Sequence, residues 1–506
     1  MTLADQLPAL QVIVPLMSAP IAAAMRGRDL AWVVASAASL MSFVIAIALT
    51  SAVLQGPPGT SISYAMGGWP PPFGIELVID SLSAIVLLII TGASSAALLA
   101  GRRAMAKDVE PHRLPLFYAA WLTAVAGLCG ISVTGDAFNV FVFMEISSLA
   151  TYVIIAAGPD RRALASVFKY LITGTVGATF YLIGIGLIYM MTGTLNLADM
   201  QSRIGDAPTQ GPVLAAAGFI TVGLALKAAV FPLHVWLPNA YAHAPHTVTA
   251  FIAACSTKVA LYVLLRFDFL VFQQNIPDHA WHFALFFLPL GIAAVLFGSC
   301  VALFETNLKR LLGYSSVAQI GYIVLGAAML DRAGLTAAIL HMFNHALAKG
   351  ALFVAVIGIG LQTGRLRLAR LRGVGRAMPL TMAGFAVAAA SLIGIPGTAG
   401  FISKWYLVSA ALGQGPWAIA LVVVILVSSL LAVAYLWRVL EPAFFGEPPP
   451  GRFDRSGPTD WAPVILLWIA AAANVYFGLA PQLPVELAGR SAEILLGLPA
   501  AAGDAP

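Results

Sequence analysis

The chain has 506 residues, of which 60% are hydrophobic and only 10% charged, with a mean hydropathy of +0.91 and a formal net charge of +5. Soluble domains carry roughly a quarter charged residues, so this composition excludes a soluble globular protein and specifies an integral membrane protein. Apolar stretches of about 18 or more residues recur along the length, each enough to cross a hydrocarbon core of roughly 30 Å; they are continuous rather than alternating in about ten-residue units, which specifies helices and not a barrel.

Residues 1 to 7 lack the basic region and cleavage site of a secretory signal, and Asp5 stands where positive charge would be expected, so the first apolar run is read as part of the protein. Polar, Pro- and Gly-rich punctuation then divides the chain into about fourteen spans, at 8–25, 29–54, 74–101, 115–133, 138–157, 163–192, 213–238, 246–268, 280–303, 310–330, 334–361, 378–410, 417–441 and 461–480. The whole is expected to be a single all-α membrane domain over 1–506. Numbering loops alternately places 18 of the 27 Lys and Arg on one side: Arg26, Arg28, Arg102, Arg103, Lys107, Arg113, Arg161, Arg162, Lys309, Arg310, the five arginines from Arg365 to Arg376, Arg438, Arg452 and Arg455. The other side holds only Arg203, Arg266, Arg332 and Arg490. The positive-inside bias then puts both termini on the non-cytoplasmic side.

Five cations remain inside spans: Lys169, Lys227, Lys258, Lys349 and Lys404. An ionisable group at membrane depth is costly unless it faces a bundle interior, a partner or water, and marks function by default. Two of the spans that hold them are interrupted, one at Pro232 and one at Pro396 within "SLIGIPGTAGFISKW"; helix breaks free backbone groups that only protein or a polar cavity can satisfy. Broken helices in matching places of two halves point to a transport site. "ISSLATYVIIAA" (146–157) echoes "YSSVAQIGYIVLGAA" (314–328), and each precedes a lysine-bearing helix, with Lys169 58 residues before Lys227 and Lys349 55 residues before Lys404.

Glu145, in "FNVFVFMEISSLATY", is read as the one mid-membrane carboxylate between the third and ninth spans and as the partner of Lys227. Pairing stabilises both charges and separation favours neutral lysine, so the pair is a candidate proton switch; a purely structural ion pair is the alternative. Lys258 follows one hairpin later, and His341, His345 and Lys349 fall at intervals of four along one helix face. Such a row suits proton relay through waters. Against this stand snorkelling for Lys258 and Lys404, and simple cross-helix hydrogen bonding for His341 and His345. Lys169 reads as interfacial, Asp80 as a helix cap, and His234, His243 and His246 either as the lining of a proton entrance or as loop residues. Cys129, Cys255 and Cys300 lie in apolar runs without ligand spacing and are expected to pack as small hydrophobes. No P-loop is present, and GIG (184–186) and GIGLQTG (358–364) are read as close helix contacts. No metal, no cofactor, no nucleic acid and no catalytic residue are expected.

Through "FNVFVFMEISSLATY", "LALKAAVFPLHVWLPNAYAHAP", "STKVALY", "NLKRLLGYSSVAQIGY", "HMFNHALAKGALF", "LRGVGRAMP" and "SLIGIPGTAGFISKW", in order, the chain resembles the antiporter-like membrane subunits shared by Mrp-type cation/proton antiporters, respiratory complex I and membrane-bound hydrogenases, and within them the Mrp antiporter D subunits. The resemblance implies a fourteen-helix core with two inverted five-helix repeats, 115–268 and 280–441, each with one broken helix, flanked by helices in 1–101 and 461–480. It implies that Glu145, Lys227, Lys258 and Lys404 lie on a hydrated proton path, with His345 and Lys349 between, and that the chain works with other subunits of a hetero-oligomeric complex in a prokaryotic inner membrane, moving protons in exchange for Na+ or another monovalent cation. A redox-driven proton pump is the alternative. It further implies that the chain lacks the additional helices of the larger Mrp antiporter-like subunit. Two departures stand out: "GIPG" where "GIPP" is common, expected to loosen the break, and Gln319 at a position often histidine, expected to remove a relay group.

Overall fold

The computed structural model describes residues 4–273, 275–276, 278–364, 366–447 and 460–498. Arg365, Arg452 and Arg455, counted above among the basic loop residues, lie outside the described residues. In chain order the helices are α1 (Leu7–Ala24), α2 (Arg28–Gln55), α3 (Ser81–Asp108), α4 (Leu114–Val133), α5 (Ala137–Ala156), α6 (Arg162–Thr192), α7 (Leu197–Ile204), α8 (Gln210–Ala228), α9 (Trp236–His243), α10 (His246–Leu265), α11 (His279–Phe304), α12 (Leu308–Ala327), α13 (Arg332–Thr363), α14 (Val374–Ala377), α15 (Pro379–Ile393), α16 (Ala399–Leu412), α17 (Ala418–Phe445), α18 (Trp461–Leu479) and α19 (Gln482–Leu496). A short hairpin of β1 (Ile62–Ala65) and β2 (Glu76–Ile79), missed in the sequence, is the one sheet among the described residues.

Among the described residues twelve helices are long and apolar enough to cross a membrane by length and composition, so the count of fourteen is not reached by single helices there. The difference lies in two predicted spans. That at 310–330 falls on α12, diluted by Lys309, Arg310 and Gln319, and that at 378–410 is divided into α15 and α16. The amphipathic α19 follows the last predicted span and is tied back by Arg332 to Glu493 at 2.6 Å and by Arg490 to the Gly56 carbonyl at 2.9 Å.

Local chemistry sets the ends. Asp80, Asp136, Asn307 and Asp331 cap α3, α5, α12 and α13, each accepting a backbone N–H of the first turn. Asp80 thus caps as expected. The break before Pro232 begins at Ala229 in the left-handed region (φ 57°), and the indole of Trp236 donates to the freed Leu226 carbonyl at 3.0 Å. The second break turns at Gly394 and Gly397 (φ 91° and 85°), a conformation that glycine alone adopts without strain, with Pro396 between them. There the Lys404 ammonium donates to the freed Ile393 carbonyl at 2.8 Å, and Asn344 donates to Ala399 at 2.7 Å. Protein groups therefore satisfy the open backbone, as the low-dielectric surroundings require.

α10, α4, α3 and α13 are the most covered helices, with 89%, 78%, 72% and 72% of their apolar windows buried, against 33% for the peripheral α17. α6 and α8 approach closely because Gly177 and Gly223 face each other; a Cβ on Gly223 would lie 2.5 Å from the Gly177 carbonyl. That contact sets the height of Lys227 at the end of α8. Of the glycines read as helix contacts, Gly184 and Gly360 pack tightly, whereas Gly186 faces open space because it points off the outer side of α6, and so does Gly364, which ends α13 in the left-handed region (φ 69°) instead of making a contact. Cys129 and Cys255 are buried as expected; Cys300 is exposed, because it lies on the outward face of α11, of whose apolar window only 33% is buried.

Candidate functional site

Glu145 on α5 and Lys227 on α8 meet: Nζ lies 3.3 Å from Oε1, and the ammonium also donates to Ser148 Oγ at 2.9 Å. Glu145 keeps 28% of its side chain exposed, more open than the fully buried partner expected, because the outer face of α5 is uncovered. Gly174 makes room for the neighbouring Tyr152 hydroxyl; a Cβ there would collide with it and stand 3.9 Å from Lys227 Nζ. A cavity of about 40 Å³ beside Lys227 is lined by Ser147, Ser148, Thr151, Tyr170 and Ser256. It exceeds the roughly 10–15 Å³ that one water needs and offers several hydroxyl partners.

The other lysines are deep and lack counter-charges. Lys258 is fully buried and donates to the Ala253 carbonyl of its own helix at 2.6 Å. Lys349 donates to the Leu312 carbonyl at 2.7 Å and Ser315 Oγ at 2.5 Å. Lys404 adds Ser429 Oγ at 3.0 Å and stands 5.1 Å over the Tyr322 ring. Among the described residues none of these three joins an ion pair. Neither Lys258 nor Lys404 snorkels. Burying an ammonium without a carboxylate is costly, and the carbonyls and hydroxyls around each one offset only part of that.

His341 and His345 lie on one face of α13 with rings 6.2 Å apart. His341 bridges helices, Nδ1 to Ser403 Oγ and Nε2 to Gln319 Oε1, both at 2.9 Å. The Gln319 amide thus reaches the His341 imidazole across the α12–α13 contact. His345 has no hydrogen-bond partner at either nitrogen among the described residues, so the cross-helix bond considered for it is absent. Lys169 is exposed on the outer face of α6, apart from the row.

Three sites were misplaced or missed. Lys309, assigned to a loop, is 2% exposed, and its ammonium donates to the Ala244 carbonyl at 2.5 Å because the turn after α9 packs over the start of α12. Arg266, assigned to the opposite loop, is buried: a guanidinium nitrogen bonds both oxygens of Asp80 at 2.7 Å, and Nε donates to Tyr262 at 2.8 Å. Asp268, not singled out in the sequence and lying at the end of the span that holds Lys258, is 2% exposed and accepts from Thr221 at 2.9 Å with His279 at 3.2 Å. A π-helical turn over Arg266–Phe272 carries α10 past its predicted end and takes both residues inside. The apolar run "FLVF" after Asp268 was the available signal.

The ends of α3, α9, α12 and α13 and the loop before α6 enclose a vestibule of about 610 Å³ whose lining includes Lys107, Asp108, His243, His246 and Lys309. Asp160 on its rim is held below the usual carboxylate range by its hydrogen bonds from Arg162. His243 pairs with Ser166 at 2.8 Å. His234 instead stacks on Phe231, 5.3 Å between ring centres, and is not among the residues that line the vestibule.

Residues 134–431 match the family model described as NADH:quinone oxidoreductase/Mrp antiporter, transmembrane. The chain is 43% identical over 459 residues to NADH-quinone oxidoreductase subunit N of Desulforudis audaxviator (strain MP104C), covering 89% of each. It is 30% identical over 492 residues to the D subunit of the Na(+)/H(+) antiporter of Bacillus subtilis (strain 168), covering 96% of each. It superposes with a TM-score of 0.87 on a chain in the structure of the Mrp complex from Dietzia sp. DQ12-45-1b, at 28% identity and covering 98% of each. A multi-pass helical bundle, a row of buried amines and these similarities converge: the chain belongs to the NADH:quinone oxidoreductase/Mrp antiporter transmembrane family, as an antiporter-like component of Mrp- or respiratory complex I-type assemblies.

Proposed function

We propose that this chain translocates protons as one component of a multisubunit complex in a prokaryotic plasma membrane, with both termini on the non-cytoplasmic side, in exchange for Na+ or another monovalent cation. The observation that carries it is the row Glu145, Lys227, Lys258, His345, Lys349 and Lys404 through the centre of the bundle, with amines held by neutral groups beyond the first pair. Glu145 and Lys227 form the switch: opening their 3.3 Å contact removes the one carboxylate that stabilises the Lys227 ammonium. Its proton then passes by way of the small cavity, which Ser256 of α10 also lines, to Lys258 and on to His345, Lys349 and Lys404. The two broken helices suit two inverted repeats, 115–268 and 280–441, whose open backbone keeps polar surface at mid-membrane.

The exchange reading draws on the 30% identity that spans 96% of both chains with the B. subtilis antiporter protein. A second reading, a redox-driven pump using the same row, is favoured by the 43% identity to the D. audaxviator oxidoreductase protein. Glu145→Ala and Lys227→Ala in the assembled complex should each abolish proton translocation into vesicles while assembly persists; normal rates in both would end the proposal. Co-purification then separates the two readings: iron–sulfur partners favour the pump, and small hydrophobic partners without cysteines favour exchange.

A further inference from the structure

Lys227 is the last residue but one of α8, and helix ends fray unless groups outside the helix bind their open carbonyls. At this end the binding group is an indole. Trp236 opens α9, is 3% exposed, and its Nε1 donates at 3.0 Å to the carbonyl of Leu226, the residue beside Lys227. Its ring lies flat on Tyr170 of α6, with centres 4.1 Å apart and planes 1° from parallel, and Tyr170 meets Tyr152 of α5 edge-on at 4.8 Å. Both tyrosines are 7% exposed. Glu145, Ser148 and Tyr152 stand at i, i+3 and i+7 on one face of α5. The Lys227 ammonium bonds the first two of these, and the Tyr152 hydroxyl fills the gap that Gly174 leaves beside it. One column of three buried rings thus joins the backbone that carries Lys227 to the helix face that carries its partners.

The second break is closed differently. There the freed Ile393 carbonyl is taken by Lys404, an amine of the row itself. At the first break the indole takes the carbonyl, and the Lys227 ammonium is left to Glu145 and Ser148. We propose that Trp236 is a positioning residue of the proton switch: by its bond to Leu226 and its stack on Tyr170 and Tyr152 it fixes the reach between Lys227 and Glu145. This rests on the translocation reading above and names what sets the 3.3 Å contact on which that reading turns. A packed column of rings does not yield, so its two ends keep one spacing. An indole is a donor only, so Trp236 places the pair without passing a proton itself.

The test uses the intact complex in sealed vesicles. Trp236→Phe keeps a ring on Tyr170 and removes the donor. Per assembled complex it should slow proton translocation by about 10- to 100-fold, the scale on which misplacing reacting groups by about 1 Å acts. A high-resolution map of that variant should show the Lys227–Glu145 contact lengthened, with α5, α6 and α9 in place. Gly174→Ala disturbs the column from its other end, since the new Cβ runs into the Tyr152 hydroxyl. It should slow translocation in the same way, and Tyr152→Phe in that background should restore the rate by making room. This second pair of variants carries the test if Trp236→Phe does not assemble. Wild-type rates in Trp236→Phe, slowing with the contact still at 3.3 Å, or no recovery on adding Tyr152→Phe to Gly174→Ala would overturn the positioning role and leave the translocation reading intact. Normal rates in Glu145→Ala and Lys227→Ala would instead remove the reading on which it rests.

Discussion

Arg266 and Lys258 lie eight residues apart on one continuous helical rod, both buried, and their surroundings follow opposite rules. Arg266 is fastened: Asp80 and Ser83 accept from one guanidinium nitrogen and Tyr262 from Nε, Tyr262 in turn donates to the Ser132 carbonyl at 2.9 Å, and Asp80 also caps α3. Lys258 has one carbonyl of its own helix and no counter-ion. Arginine stays charged under any conditions a protein meets, whereas a lysine readily sheds its proton when buried. A guanidinium locked to a carboxylate fixes three helices together; an amine left without one is free to change charge. Burial alone therefore does not mark a carrier; the saturation of its partners separates the fastened charge from the mobile one.

The contrast can be broken by exchange of roles. Asp80→Ala strands a buried guanidinium and should destabilise the chain by about 3–5 kcal/mol, seen as loss of assembly or a sharply lowered melting temperature, with Arg266→Met in the same chain recovering most of it. Lys258→Met should do the reverse, lowering translocation by about 10²-fold with the melting temperature kept, because an apolar chain replaces an amine that has no ion-pair partner. If Lys258→Met instead unfolds the protein, the two sites are not different in kind. The contrast is sharpened at Gln319, which lies between the classes. Gln319→Leu leaves His341 Nε2 without its partner and should cost about 1–3 kcal/mol with a partial loss of rate, and Gln319→His should return both towards wild type. Smallest of all, Lys169→Ala, at an exposed cation outside the row, should leave translocation and melting unchanged; a clear loss would show that the row extends to the outer face of α6.

How much of this was legible varies with how local its cause is. Asp80 as a cap, Pro232 and Pro396 within breaks, and the i, i+4 alignment of His341, His345 and Lys349 depend on neighbours in the chain, and the structure places them accordingly. The contact of Glu145 with Lys227 spans 82 residues, and scarcity found it: so few charges lie inside spans that the candidate pairs were few. Lys309 was missed because "NLKR" reads as a capped, basic helix start, and nothing in that tetrapeptide records that the turn after α9 covers it. Arg266 and Asp268 stand in the last residues of the predicted span 246–268 and were read with the adjoining loop, because the apolar run after them does not by itself show that a π-helical turn continues the rod to Phe272.

By itself the sequence determined that the chain resides in a membrane, that its elements are helices, where they break, and which rare ionisable groups lie inside, because hydropathy, proline and glycine act over a few residues. Only the tertiary structure decided which of those groups are neutralised. Arg266 finds Asp80 across 186 residues, Gln319 turns to His341, and His345 is left open, because partner saturation is set by how helices distant in the chain pack against each other.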